Sequence, residues 1–188
     1  MTAFKQPCAE ELAHDYLWRI HKAMPRRGNV GVFNRSHYED IVTVRVKKLV
    51  PEAVWSKRFG QINAFEEGLT QNDVVIRKFY LHMSKKEQRK RFMKRLDEPE
   101  KNWKFSTSDV EERGHWRDYV AAYEDLIRST STEHAPWYVV PANNKWFTRI
   151  VVAQAVIDAL EGLDLHFPKV DAAKRKELAV ARDLLQSE

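Results

Sequence analysis

Two clusters of residues in this chain have the types and spacing to handle anions. The first is FNRSHYED, residues 33–40, which follows the apolar run Val30-Gly31-Val32 and opens onto a helical pattern. Asn, Arg, Ser, His, Tyr, Glu and Asp are crowded where a buried strand should end, and loops at strand ends are where α/β proteins keep their chemistry. The second is Ser84–Lys104, SKKEQRKRFMKRLDEPEKNWK, with nine Lys or Arg against four Asp or Glu. Its net charge equals the +5 of the whole chain, so the positive field is local and should attract a polyanion there.

Within that second cluster Lys86, Lys90 and Lys94 form one i, i+4 row and Arg91 and Arg95 another, with Phe92 and Leu96 as an apolar stripe. Like charges four apart disfavour a helix by a few tenths of a kcal/mol per pair. The acids that could offset them, Asp97, Glu98 and Glu100, lie mostly beyond the rows. A solvated charged face and a phosphate-binding surface both fit this pattern. Arg would bring bidentate contacts to phosphate and Lys a point charge. Trp103, between Lys101 and Lys104, could anchor a segment or stack on a base.

Other constellations carry less. Seven histidines and one cysteine show no zinc spacing, and Glu133-His134 lacks a second His at the HExxH interval. Cys8 excludes an intrachain disulfide and reads as a packing residue. The opening MTAFKQPCAEEL has no apolar signal core and no apolar run reaches membrane-spanning length, so a cytoplasmic protein without a membrane partner is expected.

The elements that must position these clusters alternate. Helical patterns occupy 9–24, 36–49, 55–69, 84–96, 109–128, 143–162 and 171–186, with Ser108-x-x-Glu111 as a capping box for the fifth. Short apolar runs at Val30–Phe33, Val74–Met83 and Trp137–Val140 predict strands. At 188 residues, with no repeat or linker, one domain with a parallel α/β sheet is expected.

Three strings carry a resemblance: FNRSHYED, RFMKRLDEPEKNWKFSTSD and TSTEHAPWYVVPANNKWFTR, in this order. Together they are similar to the polyphosphate kinase 2 family, whose members move phosphoryl groups between inorganic polyphosphate and nucleotides. The likeness runs from about Phe4 to Pro168. The Asn-Arg-Ser-His-Tyr form resembles the subgroup that phosphorylates both AMP and ADP, giving ADP and ATP. The resemblance implies a P-loop kinase-like three-layer α/β/α fold, Mg²⁺ dependence, and a basic lid, about residues 84–113, that closes over polyphosphate. It makes FNRSHYED a Walker B-type segment, with Asn34 where a metal-linked Asp usually stands and Arg35 as a phosphate contact; metal-ligating residues are not identified. It puts Arg91, Arg95, Lys101 and Lys104 in the lid motif as neutralisers of the phosphate chain. Lys145 and Arg149 fall in the NKWFTR motif, where phosphate contact and a structural role both stand.

One departure is that the family's Walker A loop has no counterpart: none of the six glycines is followed by Lys, and GxxxxGK[ST] does not occur. The expectation is a truncated, split or remodelled relative lacking the first strand and helix of the fold. Its open sheet edge would recruit a Walker A-bearing segment or a second copy of the chain. Three readings follow: a polyphosphate-dependent phosphotransferase completed from elsewhere, an inactive relative that binds polyphosphate or nucleotide, and, last, a nucleic-acid-binding module.

Overall fold

The computed structural model describes residues 1–187. Four short strands are each followed by helix, and both sheets are parallel. β1 (Thr2–Ala3) pairs with β2 (Phe33–Asn34), Ala3 opposite Asn34. β3 (Lys78–His82) pairs with β4 (Trp137–Pro141), Lys78 opposite Trp137 and His82 opposite Pro141. Among the described residues the two pairs are not hydrogen-bonded to each other.

Between β1 and β2 lie α1 (Ala9–Leu12) and α2 (Trp18–Lys22). Between β2 and β3 lie α3 (Glu39–Val46), α4 (Glu52–Trp55) and α5 (Arg58–Thr70). Between β3 and β4 come α6 (Lys85–Asp97), a 3₁₀ turn (Pro99–Lys104), α7 (Ser108–Gly114) and α8 (Trp116–Thr130). After β4 follow α9 (Lys145–Glu161) and α10 (Ala172–Gln186). The chain divides into two compact units, Met1–Val152 and Ala153–Glu188. No helix among the described residues is long and apolar enough to cross a membrane.

Several elements differ from expectation for local reasons. The helix expected over 9–24 is broken because the Asp15 carboxylate accepts the Leu17 backbone N–H at 2.9 Å, a local turn that competes with the helix. Val30–Phe33 is not a buried strand: Val30 and Val32 are 72% and 54% exposed, and pairing is confined to Phe33–Asn34 because β1 offers only two residues. Val74–Met83 forms a strand only from Lys78 to His82, since its partner begins at Trp137 and ends at Pro141. The Ser108 capping box is not used. Ser108 is already helical, Thr107 stands at the N-cap without a side-chain hydrogen bond, and the helix is interrupted at His115, after Gly114. α6 does start as a capped helix, with the Ser84 hydroxyl accepting the Glu87 N–H at 3.2 Å.

The main core joins three helices. Tyr38, at the entrance of α3, with Ile41, Val42 and Val46 on α3, packs with Ile62 of α5 and with Ala122 and Leu126 of α8. The i, i+4 spacing of Ala122 and Leu126 puts both on one face of α8. Trp137, the first residue of β4, packs against this cluster from the sheet, with its ring centroid 4.9 Å from that of Tyr38. Leu126 is fully buried. Leu126→Ala is therefore expected to cost about 2–5 kcal/mol. Urea unfolding would show this as a lowered midpoint with an unchanged slope.

Candidate functional site

The sequence clusters lie at the carboxyl ends of the strands, where parallel α/β sheets bind ligands. At the end of β2 the Asn34 carbonyl accepts the Phe4 N–H at 3.0 Å. The chain then turns sharply, with Arg35 at φ 61°, a left-handed conformation uncommon outside glycine. Both side chains are exposed. The Arg35 charge acts on Tyr123 of α8: burial raises the Tyr123 hydroxyl's pKa, Glu39 and Tyr80 raise it further, and Arg35 opposes them. Tyr80 of β3 stacks on Tyr123 at 4.6 Å, an aromatic pair joining β3 to α8.

At the ends of β3 and β4 the turns are tied together. The Ser84 N–H donates to the Asn143 side-chain oxygen at 3.0 Å, and the Ala142 N–H donates to the His82 carbonyl at 2.8 Å. Arg91 reaches across from α6. Its Nε donates to Glu87 at 2.9 Å, and one terminal nitrogen donates to the carbonyls of Ala142 and Asn143 at 2.8 and 2.9 Å. Those bonds give Arg91 an anchoring role between α6 and the turn leading to α9. Arg95 lies 3.8 Å from Asp109 and 5.6 Å from the Phe92 ring centroid.

The 3₁₀ turn presents the remaining basic residues. Asn102 donates to the carbonyls of Arg95 and Leu96 at 2.8 and 2.9 Å, capping the end of α6 and fixing the turn on it. Lys101 pairs with Glu98, and the Lys104 ammonium sits 4.8 Å from the centre of the Trp103 ring. Trp103 is 78% exposed, with its indole N–H donating to the Glu100 carbonyl at 3.0 Å. Desolvation, followed by repulsion from Lys94, Lys104 and Lys145, holds Lys101 below the usual lysine value. Lys145, which opens α9, is thus one of the charges that act on Lys101. Arg149, one turn further along α9, is exposed.

Among the described residues no three His, Cys, Asp or Glu side chains converge to hold a metal ion. Asn34 brings only a neutral amide oxygen. That donor set does not form a protein cage for a divalent ion, but it fits one carried in on phosphate oxygens, as Mg²⁺ commonly is.

The family model described as polyphosphate kinase 2 matches residues 1–168. The chain belongs to this family. It is 50% identical over 176 residues to an AMP/ADP-polyphosphate phosphotransferase of Meiothermus ruber, covering 94% of this chain and 66% of that protein. It is 48% identical to an ADP-polyphosphate phosphotransferase of Rhodopseudomonas palustris, covering 97% and 68%. A crystal structure of polyphosphate kinase 2 from Arthrobacter aurescens TC1 superposes with a TM-score of 0.92 at 49% identity, covering 96% of this chain and 64% of that one. The chain spans about two thirds of the length of these relatives. Its fold is the α/β, P-loop kinase-like fold of the polyphosphate kinase 2 structures.

Sequence reasoning missed a buried polar network behind the Asn34–Arg35 corner. Glu66 of α5 is 1% exposed and its Oε1 accepts from the Tyr38 hydroxyl at 2.7 Å, with His37 Nε2 at 3.2 Å. Its Oε2 takes the Lys78 ammonium at 2.6 Å. Lys78 donates further to the Tyr38 oxygen at 2.9 Å and the Thr130 carbonyl at 2.7 Å, three acceptors for the three protons of an ammonium. The sequence held a signal: Glu66 stands four residues after Ile62 on the apolar face of α5, and Lys78 interrupts an apolar strand run. Burial alone would raise the Glu66 pKa, but the His37 hydrogen bond and the Lys78 ammonium overcome it and hold the carboxyl below its ordinary value. Burial pushes Lys78 downward, and Glu66 opposes that shift. The three short donations favour the charged pair.

Two outcomes follow for stability. Glu66→Gln leaves the Lys78 charge uncompensated and is expected to cost about 3–5 kcal/mol. In the parent protein the folded state binds fewer protons at Glu66 than the unfolded state does. Stability should therefore fall as pH drops below 4.5, the ordinary glutamate value, and denaturant titrations across that range should show a flatter dependence in Glu66→Gln.

Proposed function

We propose that this chain acts as a polyphosphate-dependent phosphotransferase, moving phosphoryl groups between inorganic polyphosphate and AMP or ADP to give ADP or ATP. The observation that supports it most is that the family match spans residues 1–168 and so takes in both the strand-end corner and the basic segment. Relatives about half identical to the chain carry names for this activity. The polyphosphate kinase 2 match accounts for the same basic residues that a nucleic-acid-binding reading would use, and that reading is not needed.

Phosphoryl transfer asks a protein mainly for positioning and for neutralisation of spread negative charge. Arg35, exposed at the end of β2, would meet phosphate oxygens beside Asn34. Residues 84–113 would act as the lid of a single domain spanning 1–188. In it Arg95, Lys101 and Lys104, joined by Lys145 and Arg149, would lower the repulsion along a polyphosphate chain, while Arg91 holds α6 to the turn after β4. Mg²⁺ would neutralise phosphate charge when bound, and Asn34 would offer it a neutral amide oxygen. Closure of the lid would exclude water and limit loss of the phosphoryl group to hydrolysis.

Among the described residues the two strand pairs stand without a hydrogen-bonded connection, and this sequence has no GxxxxGK[ST]. The proposal therefore includes a Walker A-bearing segment, of the same polypeptide or another, whose backbone N–H groups would cradle the phosphates. A homo-oligomer is the other arrangement proposed, and the setting would be cytoplasmic.

Incubation with polyphosphate, Mg²⁺ and AMP or ADP, reading nucleotide products, tests the activity. Arg35→Ala is expected to lower kcat by at least about a hundredfold. Lys101→Ala/Lys104→Ala should weaken polyphosphate binding and reduce its salt dependence. Salt-sensitive binding without turnover, even after a Walker A-bearing fragment is added, would instead make the chain a binding relative.

A further inference from the structure

We infer that Glu66 and Lys78 are positioning residues for the Asn34–Arg35 corner, acting through His37 and Tyr38. This rests on the phosphotransferase reading for its kinetic consequence, but not for its structural one.

The corner is strained and exposed. Arg35 has φ 61° without being glycine, and such conformations persist only where neighbouring structure over-determines them. Asn34 is held from the upstream side by β1. On the downstream side the Ser36 carbonyl accepts the Glu39 N–H at 3.1 Å, while its hydroxyl makes only a long contact, 3.5 Å from the Tyr38 N–H. The next two side chains, His37 and Tyr38, are both buried and both end on the same oxygen of Glu66. Lys78 then fixes that carboxylate from β3 and bonds to the Tyr38 oxygen as well, while the Thr130 carbonyl holds Lys78 from the end of α8. One carboxylate thus ties α5, β3 and the end of α8 to the two residues that follow Arg35.

Burying an ion pair in this way is a poor device for stability alone, because apolar residues of similar volume often serve as well or better. What apolar residues would not supply is a fixed direction for His37 and Tyr38. The Tyr38 ring could stay packed on Trp137 without its hydroxyl bonds, but His37 would lose the one partner of its Nε2. Its Nδ1 is buried with no hydrogen-bond partner among the described residues, so Glu66 is the single polar tether of that ring. The charge pair therefore acts on the geometry of the chain just after Arg35 more than on the core.

Three variants separate positioning from packing. Tyr38→Phe removes the hydroxyl from the network, Glu66→Leu/Lys78→Met removes both charges together, and Leu126→Ala weakens the same core without removing a polar group of the network. Amide hydrogen exchange at residues 34–37 is compared with exchange in α8, and kcat and KM are measured with polyphosphate and ADP. Both network variants are expected to speed exchange at residues 34–37 tenfold or more beyond any change in α8. They should also lower kcat about tenfold with little change in the ADP KM. Leu126→Ala should raise exchange in both regions together. Exchange at residues 34–37 that only follows α8 in the network variants, or unchanged kcat in a double variant that folds, overturns the inference. Should the double variant not fold, Tyr38→Phe decides it. If the parent chain turns nothing over even with a Walker A-bearing fragment added, the activity reading fails in the parent itself and the exchange comparison still decides the positioning role.

Discussion

A carboxylate and an ammonium taken out of water must be taken together. Each ion alone would lose several kcal/mol of hydration that nothing in an apolar core returns. In this protein Glu66 and Lys78 meet that constraint with one direct contact and with bonds to Tyr38, His37 and the Thr130 carbonyl. Because the groups come from α5, β3, the end of α8 and the turn after β2, satisfying them fixes the relative placement of four pieces of chain. The apolar cluster of Ile41, Val42, Ile62, Ala122 and Leu126 supplies attraction without direction, and the polar network supplies the direction.

The opposite electrostatic problem governs the basic segment. Nine positive charges on about twenty residues repel one another, and the structure disperses them. Arg91 spends its guanidinium on two carbonyls and Glu87, Lys101 pairs with Glu98, and Lys104 rests against the Trp103 ring. Lys94, Lys104 and Lys145 still repel Lys101. A polyanion would relieve such repulsion.

Much of this was legible from residue types. Alternation of apolar runs with helical spacing indicated parallel strands separated by helices, and the three motifs indicated the family. The boundaries were less legible where a nearby side chain or a missing strand partner intervened. Asp15 breaks a helix that periodicity alone would continue. Val30 and Val32 look like strand but have no ladder to join. The residues of the basic segment were identifiable as charged, but that Arg91 anchors α6 to the turn after β4 depends on which turns lie beside α6. Glu66 and Lys78 were visible only as charges at apolar positions, and nothing in their spacing paired them.

The sequence alone determined the family and where positive charge is dense, because the motifs, their order and the basic run are properties of residue type and local order. Tertiary structure decided which charges are committed and which are presented. It brought residues 37, 38, 66, 78 and 130 around one carboxylate, and it left Asn34 and Arg35 exposed just ahead of that anchor. The reason is that hydration cost and hydrogen-bond geometry act on atoms a few ångströms apart in space. Such proximity between residues tens of positions apart exists only after the chain has folded.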